Sequence, residues 1–406
     1  MTTLKKDTRL FKMLAANMFS SMGSGMTMIA VPWLFVTKDG GETVFGYVTL
    51  CVTILLFMST PFIGNLIDQV SRKRLLIAGE MIGLLIIMLF TIAGFSGVSY
   101  TTWHFVILFI TGSFYYNLFY PTIFAFNQEI FEPTQYKTLN GIMEVQGQLA
   151  AVLSGGLAAL LLPIVEFKWL LLLNAMTYAI AVVFFSLIPY KKMPKSPTKD
   201  SFGRKLTEGY VYMMRYPRLF LFLVASFMPF IGVMMTNYLF PVYIDNILQA
   251  GASVYGMKTM VYGIGAVLAG IFLPIILKRV GNESTIVFTV LLFAVSITLY
   301  IFFPFVSIFY LLTVLIAFGN AGTRVARNSL IMERIPNDKI GRVDSLFRGI
   351  GLGTRILLLS LFTQMIAVQN VILPFQVLSI VLFVSFIIIT ITLRHVIKEA
   401  PVKSIA

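Results

Sequence analysis

Apolar residues run through this chain in blocks of about twenty or more, separated by short polar segments rich in Lys and Arg. Twenty apolar residues in a helix, rising 1.5 Å each, cross the hydrocarbon core of a bilayer. The first half offers six such blocks, at 11–36, 44–67, 75–95, 103–126, 139–162 and 167–188. The second half offers six more, at 219–244, 254–277, 285–303, 306–329, 343–367 and 372–393. The pattern predicts an all-α membrane protein of twelve transmembrane helices, numbered here as spans 1 to 12. The basic start MTTLKKDTR precedes an apolar run too long for a signal-peptide core and without a convincing cleavage site, so that run reads as a retained first span.

The two sets of six flank one polar segment, Tyr190 to Arg218, which carries eight cations: Lys191, Lys192, Lys195, Lys199, Arg204, Lys205, Arg215 and Arg218. The sequences on either side match each other. Arg9, Leu10, Phe11, Leu14, Ala16, Gly23 and Pro32 recur 209 residues later as Arg218, Leu219, Phe220, Leu223, Ala225, Gly232 and Pro241. One residue further, Val44 and Gly46 meet Val254 and Gly256, and Asn117 and Pro133 meet Asn320 and Pro336 at an offset of 203. Two parallel repeats on a basic linker is the layout of one large transporter class. The expected division is residues 1–189, a linker at 190–217, and residues 218–406.

Orientation follows from the cations, because short loops rich in Lys and Arg stay in the cytoplasm. Lys5, Lys6, Arg9 and Lys12 precede span 1, Arg72 to Arg74 follow span 2, and Lys278 and Arg279 follow span 8. The opposite loops hold little beyond Lys38, Lys168 and Lys258. The linker and both termini are therefore expected inside the cell, with the protein in the plasma membrane.

Composition sharpens this picture. A chain 58% hydrophobic and 12% charged, with mean hydropathy +0.88, is too apolar for a soluble protein of 406 residues. The net charge of +14 is accounted for by the loops, so no nucleic-acid partner is expected. Cys51 alone forms no intrachain disulfide. His104 and His395 lack a second ligand at metal spacing, so no metal and no cofactor is expected. A nucleophile–base set, a phosphate-binding glycine loop and an ATP-binding segment are all missing from the pattern. That argues against an enzyme and for energy drawn from an ion gradient.

The most specific motif lies between spans 2 and 3, GNLIDQVSRKR, Gly64 to Arg74. A glycine, an acid four residues on and a basic triplet mark a tight turn whose charges can clamp neighbouring helix ends, an acid facing either a cation or a helix N-terminus. The plainer alternative is an ordinary positive-inside loop. At an offset of 210 the second half has PIILKRVGNES, which keeps a basic pair but places Lys278 opposite Asp68.

In Gly64, Leu66, Asp68, Arg72 and Lys73 the chain resembles the major facilitator superfamily, whose signature in this loop reads roughly G-x-L-a-D-r-x-G-R-K/R; Gln69 and Ser71 depart from it. The resemblance covers all twelve spans, both halves and the linker. IPNDKIGRVDSL, Ile335 to Leu346, is similar to a segment after span 10 in macrolide-efflux and enterobactin-export-like carriers. The resemblance implies alternating access with a substrate site between the halves near the midplane, and export driven by protons. Two departures bear on mechanism. Span 4 has no Arg or Lys where exporters of the superfamily often carry an arginine. The antiporter motif of span 5 appears as GQLAAVLSGG, keeping Gly147, Gly155 and Gly156 but replacing a Gly-Pro pair by Ala151 and Val152. Helix packing or gating would each use such small residues.

Charges inside apolar runs are costly and face a cavity or a partner. Glu80 and Glu144 lie about 8 Å past the starts of spans 3 and 5, and they are the proton-coupling candidates. Arg324, Arg327 and Arg348 share that level, where a salt-bridge layer is the structural alternative; Asp344 and Arg348, four apart, fit it. Arg355 sits about 18 Å along span 11, close to the bilayer centre, and needs a carboxylate, water or an anionic ligand. Asn17, Ser20, Ser24, Tyr116, Asn117, Asn237, Asn320, Thr323 and Arg324 are the further cavity candidates, with Phe19, Phe114, Phe119 and Phe230 as apolar lining. Gly64, Asp68, Arg72, Lys73 and Arg74 are the candidate cytoplasmic gate.

These features predict a monomeric secondary carrier for an amphiphilic organic compound such as a drug, macrolide or siderophore, exchanged for H⁺ across the bilayer. Uptake, or lipid movement between leaflets, is the alternative within the same fold. A membrane sensor is a further one, against which no loop is long enough to form an effector domain.

Overall fold

Among the described residues twelve helical spans are long and apolar enough to cross a membrane, and each overlaps an apolar block of the sequence. The computed structural model describes residues 7–132, 135–190 and 202–398, without the side chains of residues 68, 137, 138, 202–206, 274, 337, 338, 340 and 341. The helices are α1 (Thr8–Val36), α2 (Gly41–Gln69), α3 (Arg72–Phe95), α4 (Thr102–Ile130), α5 (Tyr136–Leu161) and α6 (Phe167–Ser186). They continue with α7 (Phe202–Met213), α8 (Pro217–Ala225), α9 (Met228–Asn246), α10 (Ala252–Phe302), α11 (Val306–Arg334), α12 (Asn337–Ala367) and α13 (Leu373–Lys398).

Packing divides the chain into two compact units. The first contains Met1–Thr198 together with Ala250–Gly263; the second contains Lys199–Gln249 and Ile264–Ala406. The start of α10 thus packs with the first unit. In that unit α1 is the hub, lying against α6, α5, α4 and α2, while α3 lies against α6 and α4. Accordingly 67% of the apolar window of α1 is buried against 17% of that of α2, which faces outward. In the second unit α13 packs on α8 and α9, and α12 on α7 and α9. Span 7, Pro217–Asn246, is the most buried there, at 61%. It is the repeat equivalent of α1, so the duplicated sequence carries a duplicated role.

The simple pattern is broken at two places, each for a backbone reason. Span 7 breaks between α8 and α9 because Pro229 has no N–H to give and its ring crowds the carbonyl four residues earlier. Around the break Phe227 N–H bonds to Val224 O at 3.1 Å, leaving the Leu223 carbonyl to other donors. Its equivalent in the first repeat is Ser20, and α1 runs unbroken. Spans 8 and 9 meet inside α10 at Gly281, whose φ of 80° and ψ of 172° suit a residue without Cβ.

At the helix ends, His104 serves structure: its Nδ1 accepts the Thr101 N–H at 3.0 Å and so caps α4.

Candidate functional site

In the first unit the polar residues of α1 meet those of four other helices. Glu80, on α3, has no exposed surface. Ser20 Oγ lies 2.9 Å from each carboxylate oxygen of Glu80, and the Tyr115 hydroxyl, on α4, donates to its Oε1 at 2.8 Å. Ser20 and Tyr115 also bond to each other. No cation among the described residues forms an ion pair with Glu80. One turn along α1, Ser24 Oγ donates to the Tyr178 hydroxyl of α6 at 3.0 Å, and the Tyr178 and Tyr115 rings meet edge to face at 5.3 Å. A Cβ at Gly83 would lie 2.9 Å from the Tyr178 ring, so the glycine one turn after Glu80 lets that ring close over the site. Phe119 is buried beneath Tyr115 at 5.2 Å. The result is a fully buried acid whose partners among the described residues are hydroxyls.

Glu144 does not share that setting. Its side chain is exposed and accepts from Gln148 Nε2 at 3.1 Å, one turn along α5. The difference is one of helix face: position 144 points away from α1, whereas Gln146 points toward it and bonds to buried Asn17. Of the other cavity candidates in this unit, Tyr116 is half-buried and stacks on Tyr120 at 5.4 Å, while Asn117 reaches Ser59 of α2 at 3.4 Å. Phe19 stacks on Phe184 of α6 at 6.4 Å.

The loop motif is bound into its own unit. Arg72 is 2% exposed and its Nη1 lies 2.6 Å from Glu129 Oε1, at the end of α4, with a second bond of 3.0 Å to Ala125 O. The Tyr190 hydroxyl closes the cluster by donating to Glu129 Oε2 at 2.5 Å. Burial and that carboxylate push the Tyr190 hydroxyl above its ordinary pKa. Lys73 Nζ binds Ser186 O, the last carbonyl of α6, and Ile188 O just beyond it, each at 2.7 Å, a favourable place for a cation. Arg74 and Gly64 are exposed, and a Cβ at Gly64 would meet nothing within 4 Å. Asp68 lies outside the described residues. Sequence reasoning missed Glu129 and Tyr190 because nothing in their spacing points at Arg72.

The second unit has the same staple with its charges exchanged. Glu283, just after Gly281, accepts from Arg334 Nη2, at the end of α11, at 2.8 Å. There the acid sits at a helix start and the base at a helix end, in accord with the helix dipoles. In the first unit the base starts α3 and the acid ends α4, against the dipoles, so close contact and burial must hold that pair.

On α11, Asn320, Thr323 and Arg327 are buried and Arg324 is exposed. Arg327 is held by ring faces and a carbonyl, with no ion pair among the described residues. Its guanidinium carbon lies 4.7 Å from the Phe227 ring centre and 4.6 Å from that of Phe347. Its Nε donates at 3.3 Å to Leu223 O, the carbonyl freed by the break in span 7. Gly351 completes the seat, since a Cβ there would lie 2.3 Å from Phe227. One turn beyond, Arg355 is half-buried and its Nε is buried without a hydrogen-bond partner among the described residues. Arg348 and Asp344 form the expected exposed pair at 2.7 Å, a contact of small energetic weight. Asn237 is exposed.

The antiporter-like glycines of α5 are packing sites in part. A Cβ at Gly155 would lie 2.6 Å from Met260 N, and one at Gly256 would lie 2.3 Å from Ala159 N, so α5 and the start of α10 touch backbone to backbone. Gly147 faces open space.

Twelve spans in two sequence repeats, with buried charges inside each unit, make this a multi-pass membrane transporter of the two-repeat class, not an enzyme. The chain belongs to the Major Facilitator Superfamily, whose model matches residues 13–357 and 231–403. It is 20% identical over 377 residues to macrolide efflux protein A of Streptococcus pyogenes, covering 89% of this chain and 91% of that protein. Among solved structures it is similar to the nucleoside transporter NupG, with a TM-score of 0.69 at 16% identity, covering 97% of this chain and all of the other. It is also similar to a POT family transporter in complex with a thioalcohol-conjugated peptide, with a TM-score of 0.73 at 13% identity and 96% of each chain covered. These likenesses establish the fold.

Proposed function

We propose that the chain exports an amphiphilic organic compound across the plasma membrane in exchange for H⁺, with both termini in the cytoplasm. The observation that carries the reading is Glu80, an acid sealed into the first unit with two hydroxyl donors and no ion pair among the described residues. A lone buried charge is costly, and taking up a proton removes it. A carrier that alternately wets and seals this site takes a proton from one side and releases it to the other. Ser20, on the hub helix, links that event to α1. Similarity to a macrolide efflux protein supports export. Arg355, with a buried nitrogen awaiting an acceptor, supports a substrate bearing an acidic or strongly hydrogen-bonding group. The loop motif acts as the gate through Arg72 and Lys73, which fix the cytoplasmic ends of spans 4 and 6.

The test is transport into inverted membrane vesicles of a fluorescent cation, a macrolide and a catecholate siderophore, with and without an imposed pH gradient. Uptake there means export from cells. Wild type should accumulate one compound only with the gradient, and Glu80→Gln should bind it but lose gradient-driven accumulation. Undiminished accumulation by Glu80→Gln would place the coupling elsewhere.

A further inference from the structure

The structure assigns a second ligand site, away from both buried clusters, where the linker helix α7 meets the start of α12: a site for the phosphate headgroup of an anionic phospholipid. The two helices enclose a cavity of about 460 Å³ lined by Thr207, Glu208, Tyr212, Arg215, Lys339 and Arg342, among others. Their contact is built in. A Cβ at Gly209 would lie 2.4 Å from Arg342 O, so α7 rests directly on the α12 backbone, and Met213 is fully buried beneath it. Glu208 answers Arg342 at 2.8 Å. Three cations and one carboxylate stand among the lining residues, and Arg215 forms no ion pair among the described residues.

Position identifies the anion. Arg215 precedes Pro217, where span 7 begins, and Arg342 opens span 11, so the cavity lies at the level where lipid headgroups sit. Beside the cavity the surface is apolar and open: Val211, which lines it, Tyr210 of α7 and Met214 just past the helix are each about half exposed. An amphipathic helix of that kind lies in the interface, and its apolar face offers a path for acyl chains beside the cationic cavity. A guanidinium fork with a neighbouring ammonium suits a phosphodiester, and basic pockets at the ends of membrane helices bind anionic headgroups. A soluble phosphate would find the same cations but no use for the apolar strip.

Native mass spectrometry of the purified full-length protein, titrated with phosphatidylglycerol or phosphatidylcholine, separates these cases. Wild type should retain phosphatidylglycerol at least about tenfold more tightly than phosphatidylcholine, and excess inorganic phosphate should not displace it. Arg215→Gln with Lys339→Gln should weaken phosphatidylglycerol about thirtyfold, two cations at about fivefold each. The charge-keeping pair Arg215→Lys with Lys339→Arg should retain most of the binding. Equal affinity of wild type for the two lipids overturns the proposal and needs no variant that folds. Displacement by inorganic phosphate overturns it in favour of a soluble anion, and unchanged binding by the Gln pair overturns the site.

Discussion

Removing Arg72 should unseat the first unit, and the geometry sets the size of the effect. Arg72 and Glu129 have 3% and 7% of their side-chain surface exposed and lie 2.6 Å apart. Arg72→Met therefore leaves a buried carboxylate with the Tyr190 hydroxyl as its one described partner, a loss of about 3–5 kcal/mol. In a unit of this size that lowers the apparent melting temperature by on the order of 10 °C. Replacing both partners, Arg72→Met with Glu129→Leu, removes the stranded charge; the hydrogen bonds to Tyr190 and to the Ala125 carbonyl are lost, at about 1 kcal/mol each. The double variant should thus melt closer to wild type than either single variant does. Exposed Arg74→Gln should stay within about 0.5 kcal/mol of wild type. The assay is the loss of the monodisperse peak in size-exclusion chromatography after heating detergent-solubilised protein. If Arg72→Met is as stable as Arg74→Gln, or if the double variant falls by the sum of the singles, the pair does not hold α3 to α4.

Two further outcomes follow from the same geometry. Gly256→Ala should cost about 1–3 kcal/mol by pushing a Cβ against the Ala159 backbone, whereas Gly147→Ala, facing open space, should be neutral or slightly stabilising; equal losses in the heating assay would refute the packing role. Arg355→Ala should weaken binding of the transported compound about tenfold to a hundredfold, with Arg355→Lys in between. Equilibrium binding that Arg355→Ala leaves unchanged would return Arg355 to a structural role.

The periodicity of apolar blocks determined the twelve spans, because bilayer thickness fixes the length of a spanning helix and little else competes with it. Seven positions between Arg9 and Pro32 recur between Arg218 and Pro241, and α1 and span 7, which carry them, are the most buried spans of their units. A proline at 229 in place of Ser20 was in plain view, but that its break would leave the Leu223 carbonyl to be shared by Ser226 and Arg327 was not. Which acid is buried was decided by helix rotation. Glu80 and Glu144 enter their spans at the same depth, yet α3 turns one onto Ser20 and Tyr115 while α5 leaves the other exposed. The loop motif showed its cations but not their acid, since Glu129 lies 57 residues from Arg72 and only the packing of α3 on α4 joins them. Hydrophobic length is a property of consecutive residues and can be read along the chain. The partner of a buried charge depends on which faces distant helices turn toward each other, and that is settled only when they pack.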